Sequence, residues 1–252
     1  MSKKIFIIGA SSGIGLELVK IWLKNGYQLV VSSRNAKENL ELKTLKDTYK
    51  NKIDLLNIDV TDNVSVKNCV DEAFNISKSY DICFYNAGIY EAMDIYNIDI
   101  KNFEEMININ YLGAVRVLKN LIDNLKNNSK NTRIVLNGSL SSYFGLPYGG
   151  AYSGSKAALV NFAESIQPEL KKENIDLQII NHGFVKTRLT NKNDFEMPQL
   201  MEAKQAAEKI FFYTNKAYRF EITFPFILTS FLRFISLLPY RLSFLISKKF
   251  LK

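Results

Sequence analysis

The sequence predicts an α/β fold, a parallel sheet covered by helices on both faces. Three observations carry this. Short, continuous apolar runs recur along the chain, beginning with Lys4-Ile5-Phe6-Ile7-Ile8, the pattern of strands buried on both sides. Stretches with apolar residues at helical spacing lie between them, the first from Ile14 to Lys24. A glycine-rich turn, Gly9-Ala10-Ser11-Ser12-Gly13-Ile14-Gly15, joins the first strand to the first helix.

That turn is the first chemical signal. Backbone N–H groups at a helix start face an anion, and the helix dipole favours a pyrophosphate there. Gly9, Gly13 and Gly15 permit a tight turn and close backbone approach, while Ser11, Ser12 and Ile14 complete the loop. The second strand, Tyr27–Ser32, runs into Ser33-Arg34. An acidic residue at that point would bind a ribose 2′-hydroxyl and repel a 2′-phosphate. A guanidinium instead pairs with phosphate, so Ser33 and Arg34 favour NADP(H) over NAD(H). The bland alternative is an Arg34 that stacks on adenine or faces solvent.

The third strand is Ile53–Ile58, followed by Asp59-Val60, and Thr61-Asp62 opens a helix. Asp81–Tyr85 is the fourth strand and ends in Asn86-Ala87-Gly88, where glycine again allows the backbone to approach a ligand. A helical pattern spans Phe103–Leu125 and contains Asn108-Ile109-Asn110-Tyr111-Leu112-Gly113. The run Thr132–Gly138 reads as a buried strand that delivers Ser139 at its carboxyl end, where ligands bind in open parallel sheets. After Pro147 and two glycines, Ala151-Tyr152-Ser153-Gly154-Ser155-Lys156 enters a helix. Residues four apart share a helix face, so Tyr152 and Lys156 project together. An ammonium beside a phenol favours the phenolate; lowering a tyrosine from near ~10 by ~3 units takes about 4 kcal/mol. Ile175–Asn181 is a sixth strand, Arg188–Leu200 a polar lid, Glu202–Tyr213 a helix and Tyr218–Phe224 a seventh strand.

Ser139, Tyr152 and Lys156, with the glycine turn and Asn86-Ala87-Gly88, resemble the short-chain dehydrogenase/reductase family over roughly Lys3–Thr187. The resemblance implies a Rossmann-type, doubly wound seven-stranded parallel sheet of order 3-2-1-4-5-6-7. It further implies hydride transfer between a nicotinamide and a carbonyl or alcohol carbon. Tyr152 then donates the proton, Ser139 orients the oxygen, and Lys156 tunes Tyr152 and holds the ribose. Asn110, three residues before Gly113, kinks its helix and links Lys156 to solvent through water. Asp59-Val60 holds the adenine, Val185 covers the nicotinamide, and Thr187 bonds its carboxamide or the pyrophosphate. Two positions depart from the family pattern. Tyr85 replaces an Asn, a change expected to be tolerated because the position supports a strand end. His182, the only histidine, replaces the Pro of a Pro-Gly turn, and a substrate-side or backbone-bonded role is expected for it rather than catalysis. Members of the family form homodimers or homotetramers, and this chain is expected to do the same.

At 252 residues the chain is expected to form one dinucleotide-binding domain, residues 1–223, followed by a C-terminal amphipathic tail, residues 224–252. Cys69 and Cys83 have no metal-ligand spacing, and Cys83 lies within an apolar strand, the place of an inert thiol. No metal is expected. The N-terminal apolar run is too short for a signal-peptide core, which points to a cytoplasmic protein. The net charge is +8, but six basic residues against Glu221 in the last 36 leave only +3 for the first 216. Basicity belongs to the tail, and nucleic-acid binding is not expected. Phe226–Leu238 is apolar around most of a helix, Pro239 interrupts it, and Arg241, Lys248, Lys249 and Lys252 flank a second apolar patch. Arg233, Pro239 and Arg241 exclude a membrane-spanning helix. Two readings remain: packing on the domain or a partner subunit, and the favoured one, a peripheral anchor on the inner face of a membrane. The function read from the sequence is an NADP(H)-dependent oxidoreductase acting on a lipophilic carbonyl or alcohol substrate. A reductase of a lipid-linked keto-sugar and a non-catalytic nucleotide-binding protein are the alternatives.

Overall fold

The computed structural model describes residues 2–126, 131–190 and 196–251. Strand β1 (Lys4–Ile8) leads into helix α1 (Gly13–Lys24), followed by β2 (Gln28–Ser33), α2 (Leu40–Tyr49), β3 (Ile53–Asn57), α3 (Asn63–Ile76) and β4 (Ile82–Tyr85). Then come α4 (Ile100–Ile107), α5 (Gly113–Leu125), β5 (Thr132–Asn137), α6 (Gly150–Lys172) and β6 (Ile175–His182). The chain finishes with β7 (Val185–Lys186), β8 (Met201–Glu202), α7 (Ala203–Thr214), β9 (Glu221–Phe224), α8 (Phe226–Leu237) and α9 (Tyr240–Ser247). Seven strands form one parallel sheet in the order β3-β2-β1-β4-β5-β6-β9, as expected.

Two apolar layers explain the continuous strand runs. Ile5 and Ile7 face a layer containing Trp22, Ala206 and Ile210, whereas Phe6 and Ile8 face one containing Val70, Val117 and Leu159. Alternate residues of one strand thus enter opposite cores, so the apolar runs are continuous rather than alternating. Trp22 is completely buried, its ring edge-on to Phe84 at 6.0 Å. The connection leaving β1 winds toward β2, whereas the one leaving β4 winds the other way, toward β5. The two connections therefore diverge beyond the paired ends Ile8 and Tyr85 and open the crevice in which this type of sheet binds ligands.

The structure refines the sequence reading in three places. The expected helix Phe103–Leu125 is broken by a single π turn, Asn108–Leu112, between α4 and α5. Tyr85 meets this turn: its buried hydroxyl donates to the Ile109 carbonyl at 2.6 Å, satisfying an acceptor within it. The departure at Tyr85 thus serves the turn that carries Asn110. The last strand begins at Glu221 rather than Tyr218, because the Tyr218 side chain turns back to donate to the Leu177 carbonyl. A two-stranded parallel pair, β7 with β8, frames the lid; two-residue strands leave no periodicity to read. Residues 191–195 of that expected lid, and Lys252 of the tail, lie outside the described residues.

Candidate active site

The site grows from the carboxyl ends of the central strands. Gly9 leaves β1 with φ +88°, and a Cβ there would sit 2.4 Å from the Ala87 nitrogen, so only glycine fits. Asn86 fastens this approach, donating to the Gly9 carbonyl at 2.6 Å and accepting from Asn137 at 2.8 Å. Its side chain therefore serves the framework of the crevice. Ser12 caps α1 without a side-chain hydrogen bond, so the first N–H groups of the helix have no side-chain cap. Thr187 closes over the same turn, its methyl 3.2 Å from where a Gly13 Cβ would stand. Its neighbour Val185 is buried in β7.

Ser33, Arg34, Asp59 and Val60 line the far end of the crevice. Asp59 accepts from the Thr61 hydroxyl (2.7 Å) and N–H (2.9 Å). These bonds, with Arg34 and Arg116 adding positive charge, hold its carboxyl below the usual range. Arg34 itself is exposed at the rim. Glu38, which the sequence reading passed over, also lines this end, and its carboxylate is engaged by Asn57 at 3.2 Å.

At the other end, Ser139, Tyr152 and Lys156 converge as the sequence spacing predicts. Lys156 is buried and donates to the Asn137 carbonyl at 2.7 Å, with its Nζ 5.8 Å from the centre of the Tyr152 ring. Burial pushes Lys156 down to about 8. Burial also pushes Tyr152 up to about 12, with the Ser139 hydroxyl opposing the shift and Tyr90 reinforcing it. Among the protein's own groups, then, the expected lowering of Tyr152 by Lys156 is reversed. Desolvation of the phenolate outweighs an ammonium several ångströms away, and the phenol stays protonated at neutral pH. Tyr90 was not anticipated; it stands edge-on to Tyr152, with ring centres 5.1 Å apart.

Asn110 sits in the break of its helix. Fully buried in the π turn, it accepts from the Ile89 N–H (2.8 Å) and donates to the Ile89 carbonyl (3.0 Å) and Ser155 hydroxyl (2.9 Å). It braces α6 against the strand-end loop, while Lys156 bonds Asn137. A Cβ on Gly88 would lie 3.2 Å from Asn110 Oδ1 and 3.8 Å from Lys156 Nζ, so glycine keeps the space between those two groups open. His182 shares a 2.7 Å hydrogen bond with the Gly183 carbonyl through Nδ1 and stacks on Phe224. Burial drives it down to about 4, so it is neutral at physiological pH and is backbone-bonded, as expected.

Gly9, Gly13, Ser33, Arg34, Asp59, Ser139, Tyr152, Lys156 and His182 border one cavity of about 1500 Å³, running from Arg34 past the glycine turn to Tyr152. Uncapped amides at its middle, a guanidinium at one end and a buried lysine at the other match the charge pattern of a nicotinamide dinucleotide, and the cavity has room for one. The end at Tyr152 is walled by Leu146, Phe184, Ile227, Leu228, Phe231 and Leu232. Four of these come from α8, so the tail is part of the site. The sequence reading had set it apart as residues 224–252. Tyr148 and Gln199, at the same rim, hold left-handed backbone at φ 62° and 55°. Gln199 accepts from the Leu228 N–H at 2.9 Å and so ties the lid to the first turn of α8. Among the described residues no cluster of side chains could hold a metal ion, and no helix is long and apolar enough to cross a membrane.

A doubly wound parallel sheet with a glycine turn at its switch point and a Ser/Tyr/Lys constellation defines the class of nicotinamide-dependent oxidoreductases. Residues 3–197 match the family model for short chain dehydrogenase, and the chain belongs to that family. A dehydrogenase/reductase SDR family member 7B from Xenopus tropicalis is 28% identical over 192 residues, covering 74% of this chain and 62% of the relative. The chain thus spans less than two thirds of that protein's length. Among solved structures, a short chain dehydrogenase from Burkholderia cenocepacia in complex with NADP superposes with a TM-score of 0.82 at 17% identity, covering 100% of this chain and 98% of that one. A dehydrogenase/reductase from Burkholderia phymatum in complex with NAD gives 0.80 at 18% identity, covering 92% of both chains. At these identities the structural likeness speaks for the fold.

Proposed function

We propose that this protein is an NADP(H)-dependent reductase of a lipophilic ketone or aldehyde. The observation that carries the reading is the single cavity: dinucleotide-binding groups occupy one end, and Ser139, Tyr152 and Lys156 stand at the other beneath an apolar wall from α8. A bound nicotinamide supplies the hydride. Tyr152, kept protonated by its dry surroundings, gives its proton to the carbonyl oxygen, and Ser139 donates a hydrogen bond to the same oxygen. Lys156 holds the ribose and brings positive charge toward the phenol as the proton leaves. A protonated resting tyrosine suits reduction better than oxidation. Arg34, with no acid beside it on β2, supports a 2′-phosphate; the Asn57-bound Glu38 is the one feature pulling the other way.

The tail supports a lipid-facing role. Phe226 and Leu237 are 82% and 83% exposed, and Phe234, Tyr240, Phe244 and Leu245 extend the apolar face beside the exposed Arg241, Lys248 and Lys249. This combination suits an anionic bilayer surface, with the apolar side chains in the acyl boundary and the basic ones on headgroups. It would bring the mouth of the cavity to where a lipophilic carbonyl resides.

NADPH oxidation measured against decanal, 2-decanone and 4-nitrobenzaldehyde, with and without phosphatidylglycerol vesicles, tests both halves. Tyr152→Phe should leave NADPH binding intact while turnover falls about 100-fold or more. Surviving turnover would remove Tyr152 from its assigned role. Sedimentation with the vesicles should weaken with salt and vanish when residues 226–252 are deleted. A salt-indifferent dimer that ignores vesicles assigns the tail to self-association instead.

A further inference from the structure

The Ser139 backbone is anchored by groups that lie far away in sequence. Asn181, fully buried near the end of β6, accepts from the Ser139 N–H through Oδ1 at 3.0 Å. Its amide donates through Nδ2 to Glu221 Oε1 at 2.7 Å. These partners fix which way the carboxamide points, since an N–H needs an acceptor and a carboxylate needs a donor. The approach is so close that a Cβ on Gly138 would lie 2.1 Å from Asn181 Oδ1.

The Glu221 carboxylate has two further partners. It accepts from the Tyr143 hydroxyl and from the Arg233 guanidinium of α8. Arg233 also donates to Tyr143 at 3.0 Å and lies over its ring at 5.1 Å. Tyr143 directly follows the short 3-10 turn Leu140–Ser142, which begins at Ser139. One carboxylate therefore holds both ends of the catalytic turn, directly through Tyr143 and through Asn181 at Ser139. The strand register produces this meeting. Glu221 pairs with Ile179 across β6 and β9, so its side chain shares a sheet face with Asn181 two residues on.

We propose that Asn181 and Glu221 are positioning residues for Ser139, and that Arg233 closes the relay so that the C-terminal helix sets the aim of the catalytic hydroxyl. This rests on the catalytic reading of Ser139 and adds a device to it. The hydroxyl must meet a carbonyl oxygen within a few tenths of an ångström, and a backbone tethered at one end only would let it swing.

The test uses the full chain with NADPH and 4-nitrobenzaldehyde, together with amide hydrogen exchange at Ser139 followed by NMR. Asn181→Ala should speed exchange at Ser139 and lower kcat about 10-fold, with the NADPH dissociation constant unchanged. The solvent deuterium isotope effect on kcat should rise, because proton transfer becomes slower. Asn181→Asp alone should do the same by setting two carboxylates against each other. Asn181→Asp combined with Glu221→Gln reverses the donor and acceptor between the pair and should restore slow exchange at Ser139, with turnover recovering in part because the amide nitrogen no longer accepts from Tyr143. Arg233→Gln, at a half-exposed site, should act in the same direction by about 2-fold. Unchanged exchange in Asn181→Ala would overturn the relay. Faster exchange with unchanged kcat and isotope effect would overturn its positioning role and leave only a structural one. Failure of the catalytic reading itself is separately visible as surviving turnover in Ser139→Ala.

Discussion

The two ends of the cavity are built from different materials. The dinucleotide end is largely backbone and small residues, with Gly9 against Ala87, the open N-terminus of α1, and short polar side chains tying loops together. The substrate end is built of large apolar side chains from the loops around Leu146 and Phe184 and from α8. A wall made of backbone tolerates almost no change, because main-chain atoms on both sides cannot retreat. A wall made of flexible side chains can be reshaped, and its tolerance is what allows specificity to vary on a constant fold.

Substitutions should separate the two ends sharply. Gly9→Ala forces a Cβ into the Ala87 backbone at a positive φ, and is expected to cost about 3 kcal/mol or more of stability and to abolish NADPH binding. Thermal denaturation with and without NADPH reads this; a stable variant that still binds would show that the glycine turn yields more than its geometry allows. Acting by charge alone at the same end, Ser33→Asp should weaken NADPH about 10-fold and spare NADH, as fluorescence titration would record. Equal affinities of the parent for both cofactors would remove Arg34 from the 2′-phosphate and give weight to Glu38.

The pH profile probes the junction between the ends. Lys156, lowered to about 8 by burial, carries its charge below that pH and loses it above. Reductive kcat should therefore hold from about pH 6 to about 8 and fall beyond it, up to about tenfold per unit. Replacement of Lys156 by Met should flatten the profile at a low level, and a parent profile level to pH 10 would remove the ammonium from the chemistry. The smallest effect belongs to the side-chain wall. Phe231→Ala should leave Tm and NADPH affinity within error and raise KM for decanal by about 3- to 10-fold, with less change for 4-nitrobenzaldehyde. Equal changes for both substrates would mean that α8 does not select for chain length.

Most of the dinucleotide end was legible in the residues. Glycine at positions 9, 13, 15 and 88, a strand before the turn and a helix after it are local features, so their meaning survives without knowledge of what packs nearby. Ser139, Tyr152 and Lys156 were legible for a related reason, since a strand end and one helical turn set their relative placement. Their electrostatics were not. The balance between a nearby ammonium and desolvation depends on burial, which puts Tyr152 near 12 where spacing alone suggested a lowered value. Asn110 stood out in the sequence, but its partners Ile89 and Ser155 were hidden, because a π turn shifts the helix face by a fraction of a turn and Tyr85, which bonds to that turn, lies on β4.

The tail shows the boundary most clearly. Its composition announced an amphipathic, basic helix pair, since apolar and charged residues at helical spacing are enough for that. Composition could not announce that Leu228 and Leu232 face Leu140 in a small core of their own, or that Ile227 and Phe231 border the same cavity as Tyr152. Nor could it bring Arg233 to Glu221 and, through Asn181, to Ser139. Those residues are separated by between 12 and 90 positions where their bonds are direct. They meet only because β6 and β9 pair in one register and α8 folds back across the strand ends. Local chemistry is written in neighbouring residues; contacts between distant ones are selected by how the layers pack.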